Sequence, residues 1–279
     1  MVEFLRRPRL EVIPVAGVER AVVEHVPRDA TVTVTSSPTR GAEATFALTE
    51  RLVGEGYRVV PHLAARLIAD RADLAALLER LDALGVRDVF VVAGDISRPA
   101  GRFEGAVDLL AAMAELGHGL ERIGITGYPE SHAFISDEAT IQAMFDKVPF
   151  ASYIVSQICF DAGVIARWIR RVRGRGVALP IYIGLPGPTD AMRLLRLSKR
   201  VGLGDSARFL RRHGSWFGRL VRPRPYRPER LLEDLEPDLA RADNEIAGLH
   251  LYTFNEVLET ENWRRQELER LRTGTAEAM

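Results

Sequence analysis

Eight short runs of β-branched and aliphatic residues recur along this chain of 279 residues, each followed by a stretch with helical spacing. A chain that alternates strand and helix eight times has few ways to fold. The runs are Leu10 to Ile13, Thr31 to Thr35, Arg58 to Leu63, Val86 to Val92, Arg122 to Thr126, Ala151 to Phe160, Leu179 to Leu185 and Gly248 to Asn255. Helical spacing covers Val18 to His25, Ala42 to Glu55, Leu67 to Leu84, Gly105 to Leu116, Asp137 to Val148, Val164 to Arg173, Asp190 to Arg200 and Leu231 to Glu245. A closing helix is expected over Glu256 to Leu271. Runs as continuous as Val89 to Val92 suit strands covered on both faces, as parallel strands are. Units of ~25 to 40 residues in this order predict a single α/β domain, a (β/α)8 TIM barrel of ~250 residues, occupying positions 1–279. The competing architecture, a doubly wound open sheet, fits less well, because no Gly-x-Gly-x-x-Gly turn follows the first strand.

In a barrel the C-terminal ends of all strands open on one face, where catalytic groups sit. Glu11, Thr35, His62, Asp95, Tyr128, Gln157 and Tyr252 all fall at or just past such ends. A carboxylate inside an apolar strand, as at Glu11, is costly unless it has a use. Asp95 follows an apolar run into a loop rich in Gly and Pro, where it could equally cap a helix near Phe103 or begin an Asx turn.

Composition narrows the ligand. Thirty-eight basic residues balance 38 acidic ones, so no overall field gathers nucleic acid or a membrane surface. A small, neutral-to-anionic molecule is the expected partner. The N-terminal MVEFLRRPRL is charged and holds Pro8, with no apolar stretch suited to a signal peptide or span, so a soluble, cytoplasmic protein is expected. Cys159, the single cysteine, reads as an inert core thiol within the sixth strand. No zinc spacing or nucleophile elbow is present, and no metal is expected.

Between strands seven and eight lies an irregular excursion over about 203–230. Its part from Ala207 to Arg230 carries eight arginines, one Glu, Trp216, Phe217 and Tyr226. It reads as a lid or solvated loop. Gly202, Gly204, Asp205 and Ser206 before it suit the start of a short helix that could hold phosphate, with Arg208, Arg211 or Arg212 near an anionic tail. The tail from about 273 to 279 is expected to be disordered.

The pieces LEVIP, VTVTSS, PHL, AGD, GYPESH, SQICFD and LYTFN, in this order and spacing, are similar to the methylenetetrahydrofolate reductase family from Leu10 to about Glu259. The resemblance implies a barrel that uses a nicotinamide dinucleotide to turn 5,10-methylenetetrahydrofolate into 5-methyltetrahydrofolate. It places Glu11 as the general acid that opens the five-membered ring to an iminium ion, and Asp95 as the carboxylate that favours the cation. Gln157 would orient the pterin, with Tyr252 also on the substrate side. Thr35, His62, Tyr128 and His132 would line the cofactor side.

Departures from the family pattern concern flavin. Ala93 stands where flavin-dependent members have Arg, and Lys147 is the one plausible survivor among the flavin contacts before strand six. Asp190 falls near the position of an aromatic, and Glu256 replaces an Arg. The chain therefore looks most like the flavin-independent, actinobacterial-type members, with NADH as direct hydride donor and FAD absent. An FAD-dependent enzyme of the same fold and a non-catalytic pterin-binding barrel are the alternatives. Sequence leaves the oligomeric state open.

Overall fold

The computed structural model describes residues 1–37, 39–130, 137–189 and 226–277. Eight parallel strands close into a barrel in chain order: β1 (Arg9–Val12), β2 (Thr31–Val34), β3 (Arg58–Ala64), β4 (Asp88–Val92), β5 (Arg122–Gly127), β6 (Tyr153–Ser156), β7 (Ile181–Pro186) and β8 (Ile246–Tyr252). Closure comes from the pairing of β1 with β8, which sets Arg9 against His250 and Glu11 against Tyr252. Outside the ring run α1 (Val2–Arg6), α2 (Val18–His25), α3 (Gly41–Gly54), α4 (Arg71–Ala83), α5 (Ala106–Leu116), α6 (Asp137–Lys147), α7 (Ala162–Gly174), α8 (Glu229–Leu239) and α9 (Val257–Glu277). Apolar residues of the strands' outer faces, such as Val32, Val34, Val89, Val91, Ile183 and Leu249, pack with helix residues such as Leu52, Leu109, Ile169 and Leu235 in one core. This is the TIM barrel that the eightfold alternation predicts.

Several boundaries differ from the expected ones for identifiable reasons. Strand six stops at Ser156 rather than Phe160: the Gln157 amide bonds the Gly127 carbonyl at 2.7 Å, and its side-chain Oε1 takes the Ile158 amide at 2.9 Å. Cys159 therefore lies in the loop beyond the sheet, not in a strand. It is fully buried, and desolvation, then the neighbouring Glu130 carboxylate, push its thiol up, as an inert core thiol requires. Helix α4 begins at Arg71 because Asp70 accepts from the amides of Ala72 and Asp73 at 2.8 and 2.9 Å, after a 3-10 turn at Ala65–Leu67. The stretch to Glu245 is not one helix: α8 ends at Leu239 and a 3-10 turn, Ala242–Asn244, leads into β8.

Helix α1 was not anticipated. Its Leu5 is fully buried, and its carbonyl accepts from Arg264 on α9 at 2.9 Å, while Arg264 is held by Glu261 at 2.7 Å. Helix α9 runs past Leu271 to Glu277, and Thr273 Oγ1 bonds back to the Glu269 and Arg270 carbonyls at 3.1 and 3.0 Å. The expected helix Asp190 to Arg200, the phosphate turn at Gly202 to Ser206 and Arg208, Arg211 and Arg212 lie outside the described residues. Of the excursion, residues 226–230 are described: the Tyr226 amide bonds the Thr189 carbonyl at 2.8 Å, and Glu229 and Arg230 already belong to α8.

Side chains fill the barrel from within, so it is a core and not a pore. At the N-terminal end Arg9 is buried between the rings of Tyr153 and Tyr182, 4.3 and 4.7 Å from their centroids, and paired with Asp88. Tyr153 donates to Asp88 at 2.7 Å, so this buried charge pair is well satisfied. Gly124 makes room for that arrangement: a Cβ there would stand 2.3 Å from the Tyr153 ring. Val60, Phe90 and Val155 cluster with Tyr153 in the interior, with Val92 and Tyr182 packed against them. Polar groups take over toward the C-terminal end.

Candidate active site

Glu11 leads that polar layer. One carboxyl oxygen, Oε2, is 3.1 Å from His250 Nε2 on β8 and 3.5 Å from His62 Nε2 on β3. The two imidazoles are 1% and 6% exposed, whereas the Glu11 side chain keeps 14% exposure. His62 turns its other nitrogen, Nδ1, to Thr35 Oγ1 at 3.1 Å. Desolvation sets the protonation states here. It lowers His62 to about 4, against an opposing pull from Glu11, and lowers His250 to about 3, with Arg9 adding to the effect. The same desolvation raises Glu11, with His62 opposing it. A carboxyl that holds its proton above the ordinary range, between two neutral imidazoles, is suited to general acid work.

The loop beyond β8 fixes the backbone of this carboxyl. Thr253 Oγ1 donates to the Glu11 carbonyl at 2.6 Å, and Asn255 brackets Ile13, accepting from its amide at 2.8 Å and donating to its carbonyl at 3.0 Å. Phe254 and Asn255 adopt φ of 51° and 66°, a left-handed pair that Asn tolerates better than most residues. Asn255→Ala removes both bonds and keeps the strained φ, so it is expected to cost about 2–4 kcal/mol in urea unfolding. Asn255→Gly, which relaxes the φ but also lacks the amide, should recover only about 1 kcal/mol of that. Equal stability of Asn255→Ala and the parent would refute the bracing role.

Tyr252 stands beside Glu11 across the β1–β8 seam. Its hydroxyl donates to the Ser156 carbonyl at 3.1 Å, and burial, with the Glu11 and Tyr128 charges, holds it well above the ordinary phenol range. Asp95 is exposed on the loop after β4, which Gly94 turns with φ of 96°. The helix that follows starts at Ala106, and Asp108 bonds the amides of Glu104 and Gly105 at its head, so Asp95 is not its cap. Instead Asp95 acts on Tyr128, whose phenol is raised first by burial, and which also bonds Thr126. Thr126 in turn accepts from Lys147 Nζ at 3.3 Å. Lys147 is 5% exposed, and desolvation lowers it to about 8. Gln157 is half-buried at the end of β6, its carbonyl turned to its own backbone and its amide NH2 free of the described residues.

The site residues read from the sequence thus fall into two groups at one end of the barrel. Glu11, His62, Thr35 and Tyr252 form one, and Asp95 and Tyr128 the other, with Gln157 just past β6, whose Ser156 carbonyl holds Tyr252. His132 lies outside the described residues. His250, Thr253, Asn255 and Thr126 were not singled out beforehand. The signal for His250 was available, as a lone ionisable residue in the apolar run GLHLY. Among the described residues no group of three or more His, Cys, Asp or Glu could hold a metal ion, and no helix is long and apolar enough to cross a membrane.

Comparison with known proteins points to one family. Its profile, described as methylenetetrahydrofolate reductase, matches residues 16–204. The chain is 26% identical over 142 residues to a probable methylenetetrahydrofolate reductase (NADPH) of Caenorhabditis elegans, covering 47% of this chain and 21% of that protein. It is 29% identical over 118 residues to methylenetetrahydrofolate reductase 1 of Schizosaccharomyces pombe, covering 39% and 20% respectively. The matched segments thus span about a fifth of the length of these curated relatives. Glu11, His250, Tyr252 and Asn255 lie outside the matched span, so their placement rests on barrel geometry.

Proposed function

This chain belongs to the methylenetetrahydrofolate reductase family, and from that premise we propose that it reduces 5,10-methylenetetrahydrofolate to 5-methyltetrahydrofolate, with NADH as direct hydride donor and without flavin. The observation that carries the reading is the Glu11 carboxyl, its pKa raised by burial, held between His62 and His250 at the open end of the barrel. A proton from Glu11 to a ring nitrogen of the substrate opens its five-membered ring to the iminium ion. Asp95, exposed at the same mouth, stabilises that cation, and Gln157, with its NH2 unengaged, orients the pterin. The nicotinamide dinucleotide supplies the hydride that completes the methyl group.

The flavin-free part of the reading is supported by the chemistry at Ala93 and Lys147, two positions where flavin contacts are expected. Ala93 offers no charge, and the Lys147 ammonium is buried and engaged with Thr126 Oγ1. Among the described residues these two positions therefore present no free cation to a flavin. Thr35, His62 and Tyr128 remain to line the dinucleotide's pocket.

Direct transfer requires both ligands at once, with the donor and acceptor carbons within ~3.5 Å. Initial velocities at varied NADH and methylenetetrahydrofolate are therefore expected to give intersecting lines, with deuterium from labelled NADH retained in the product methyl group. Added FAD should neither bind tightly nor raise the rate. Parallel lines with FAD-dependent activity would move the protein to a flavin mechanism. Pterin binding without any nicotinamide oxidation would leave a binding barrel.

A further inference from the structure

Glu11 is contacted unevenly. Both imidazoles approach the same oxygen, Oε2, while Oε1 bonds no described residue. Among the described residues the other groups near this carboxyl are Tyr252 from β8, on which both Glu11 and Tyr128 act, and Arg9 on β1, which acts on both imidazoles. A cationic partner would drive Glu11 to ionise and end its use as an acid. Neutral imidazoles each present a single N–H and add no charge. For His62 the Thr35 hydroxyl can donate to Nδ1, which leaves an Nε2–H aimed at Glu11.

We infer that His250 is a positioning residue: its Nε2–H holds Oε2 of Glu11, so that Oε1 is the oxygen that delivers the proton, and His62 joins as a second donor once the carboxylate forms. This rests on the reading of Glu11 as the acid. The arrangement assigns the two oxygens separate tasks. A carbonyl-like Oε2 accepts from His250 at 3.1 Å while the acid is protonated, and the 3.5 Å contact from His62 is the one free to shorten when charge develops. Neither imidazole gains or loses a proton in the cycle, and the proton that leaves Oε1 is replaced from solvent through the exposed edge of Glu11.

The test compares His250→Phe, which keeps a ring without the donor, with His250→Gln, whose amide NH2 reaches about as far as Nε2. In His250→Phe turnover is expected to fall about tenfold with KM within about twofold, because orientation of the acid is lost while the ligand sites stand. The alkaline limb of its pH profile should move up by about one unit, since the carboxylate has lost a donor. His250→Gln should restore most of both. Independently of turnover, the infrared carbonyl band of protonated Glu11, assigned by its loss in Glu11→Gln, should titrate at higher pH in His250→Phe than in the parent.

An unmoved band, or a Gln variant no better than Phe, would overturn the inference and leave His250 a packing residue. A band that moves as expected in a protein inactive on methylenetetrahydrofolate would defeat the proposed reaction and not the Glu11 arrangement. Should His250→Phe fail to fold, His250→Gln against His250→Asn makes the same comparison, the shorter amide falling short of Oε2.

Discussion

Replacement of Glu11 by Gln is expected to lower turnover by about 10²-fold or more while leaving KM for both substrates within a few-fold. The change is nearly isosteric. A Gln carbonyl can still accept from His250 Nε2, where Glu11 Oε2 now stands at 3.1 Å, and the backbone clamp from Thr253 and Asn255 does not involve the side chain. What is lost is the acid proton alone. Because the amide cannot ionise, the variant also escapes the desolvation cost that raises Glu11, so it should unfold at the same or slightly higher urea concentration. The expected signature is a folded, ligand-binding, slow enzyme. Turnover near that of the parent would remove Glu11 from the acid role, and a parallel loss of substrate binding would make it a structural residue of the mouth.

How much of this was legible in the chain depends on how far apart the cooperating residues lie. The strands were readable because each is a continuous apolar run, and Glu11 stood out as a carboxylate inside one of them. Its partner His250 is 239 positions away, and meets it only because β8 closes the barrel against β1. A lone histidine in an apolar run gives no hint of which acid it will face. The motif LYTFN was visible as a resemblance, but its work, bracketing Ile13 across 242 positions, follows from the left-handed turn at Phe254 and Asn255. Local hydrogen bonds explain the misplaced boundaries in the same way: Gln157 ends β6 early by bonding to the next backbone amide, a choice that residue type alone does not dictate. Lys147 was expected as a surviving cofactor contact, and its burial against Thr126 depends on how α6 docks at the mouth of β5.

Stability should fall as pH drops from 6.5 toward 4, in a window the buried imidazoles define. Groups held neutral in the folded state below their unfolded pKa take up protons on unfolding, so the unfolded chain gains as acid is added. His62 titrates near 4 and His250 near 3 when folded, against 6.5 as the ordinary value. At 6% and 1% exposure neither is screened by solvent, so the full penalty below the folded pKa is on the order of 3 kcal/mol for His62 and 5 kcal/mol for His250, as upper figures. Glu11 works in the opposite sense: its raised pKa means the folded state holds a proton the unfolded chain has released, so acidification through its folded pKa toward 4.5 adds stability. Between 4.5 and its raised folded pKa this carboxyl offsets part of the imidazole effect, and below 4.5 the imidazoles act alone. The exposed carboxylates lowered by arginines, Glu43, Glu115 and Asp243, begin to lose their small contribution only at the acid end of this window, as pH falls through 4.5 for the two Glu and 3.8 for Asp243. On the alkaline side Lys147, at about 8 when folded against 10.5, should make stability rise between those values. Urea midpoints measured from pH 7 to 4 are therefore expected to decline as pH falls below 6.5, with the steepest loss below 4.5, where Glu11 no longer opposes it. His62→Asn should flatten the curve by up to one proton, and Glu11→Gln should steepen it above 4.5 by removing the offset. A midpoint constant from pH 6.5 to 4 would mean that the imidazoles are not held neutral in the fold, and with it the donor pair proposed for Glu11 would lose its basis.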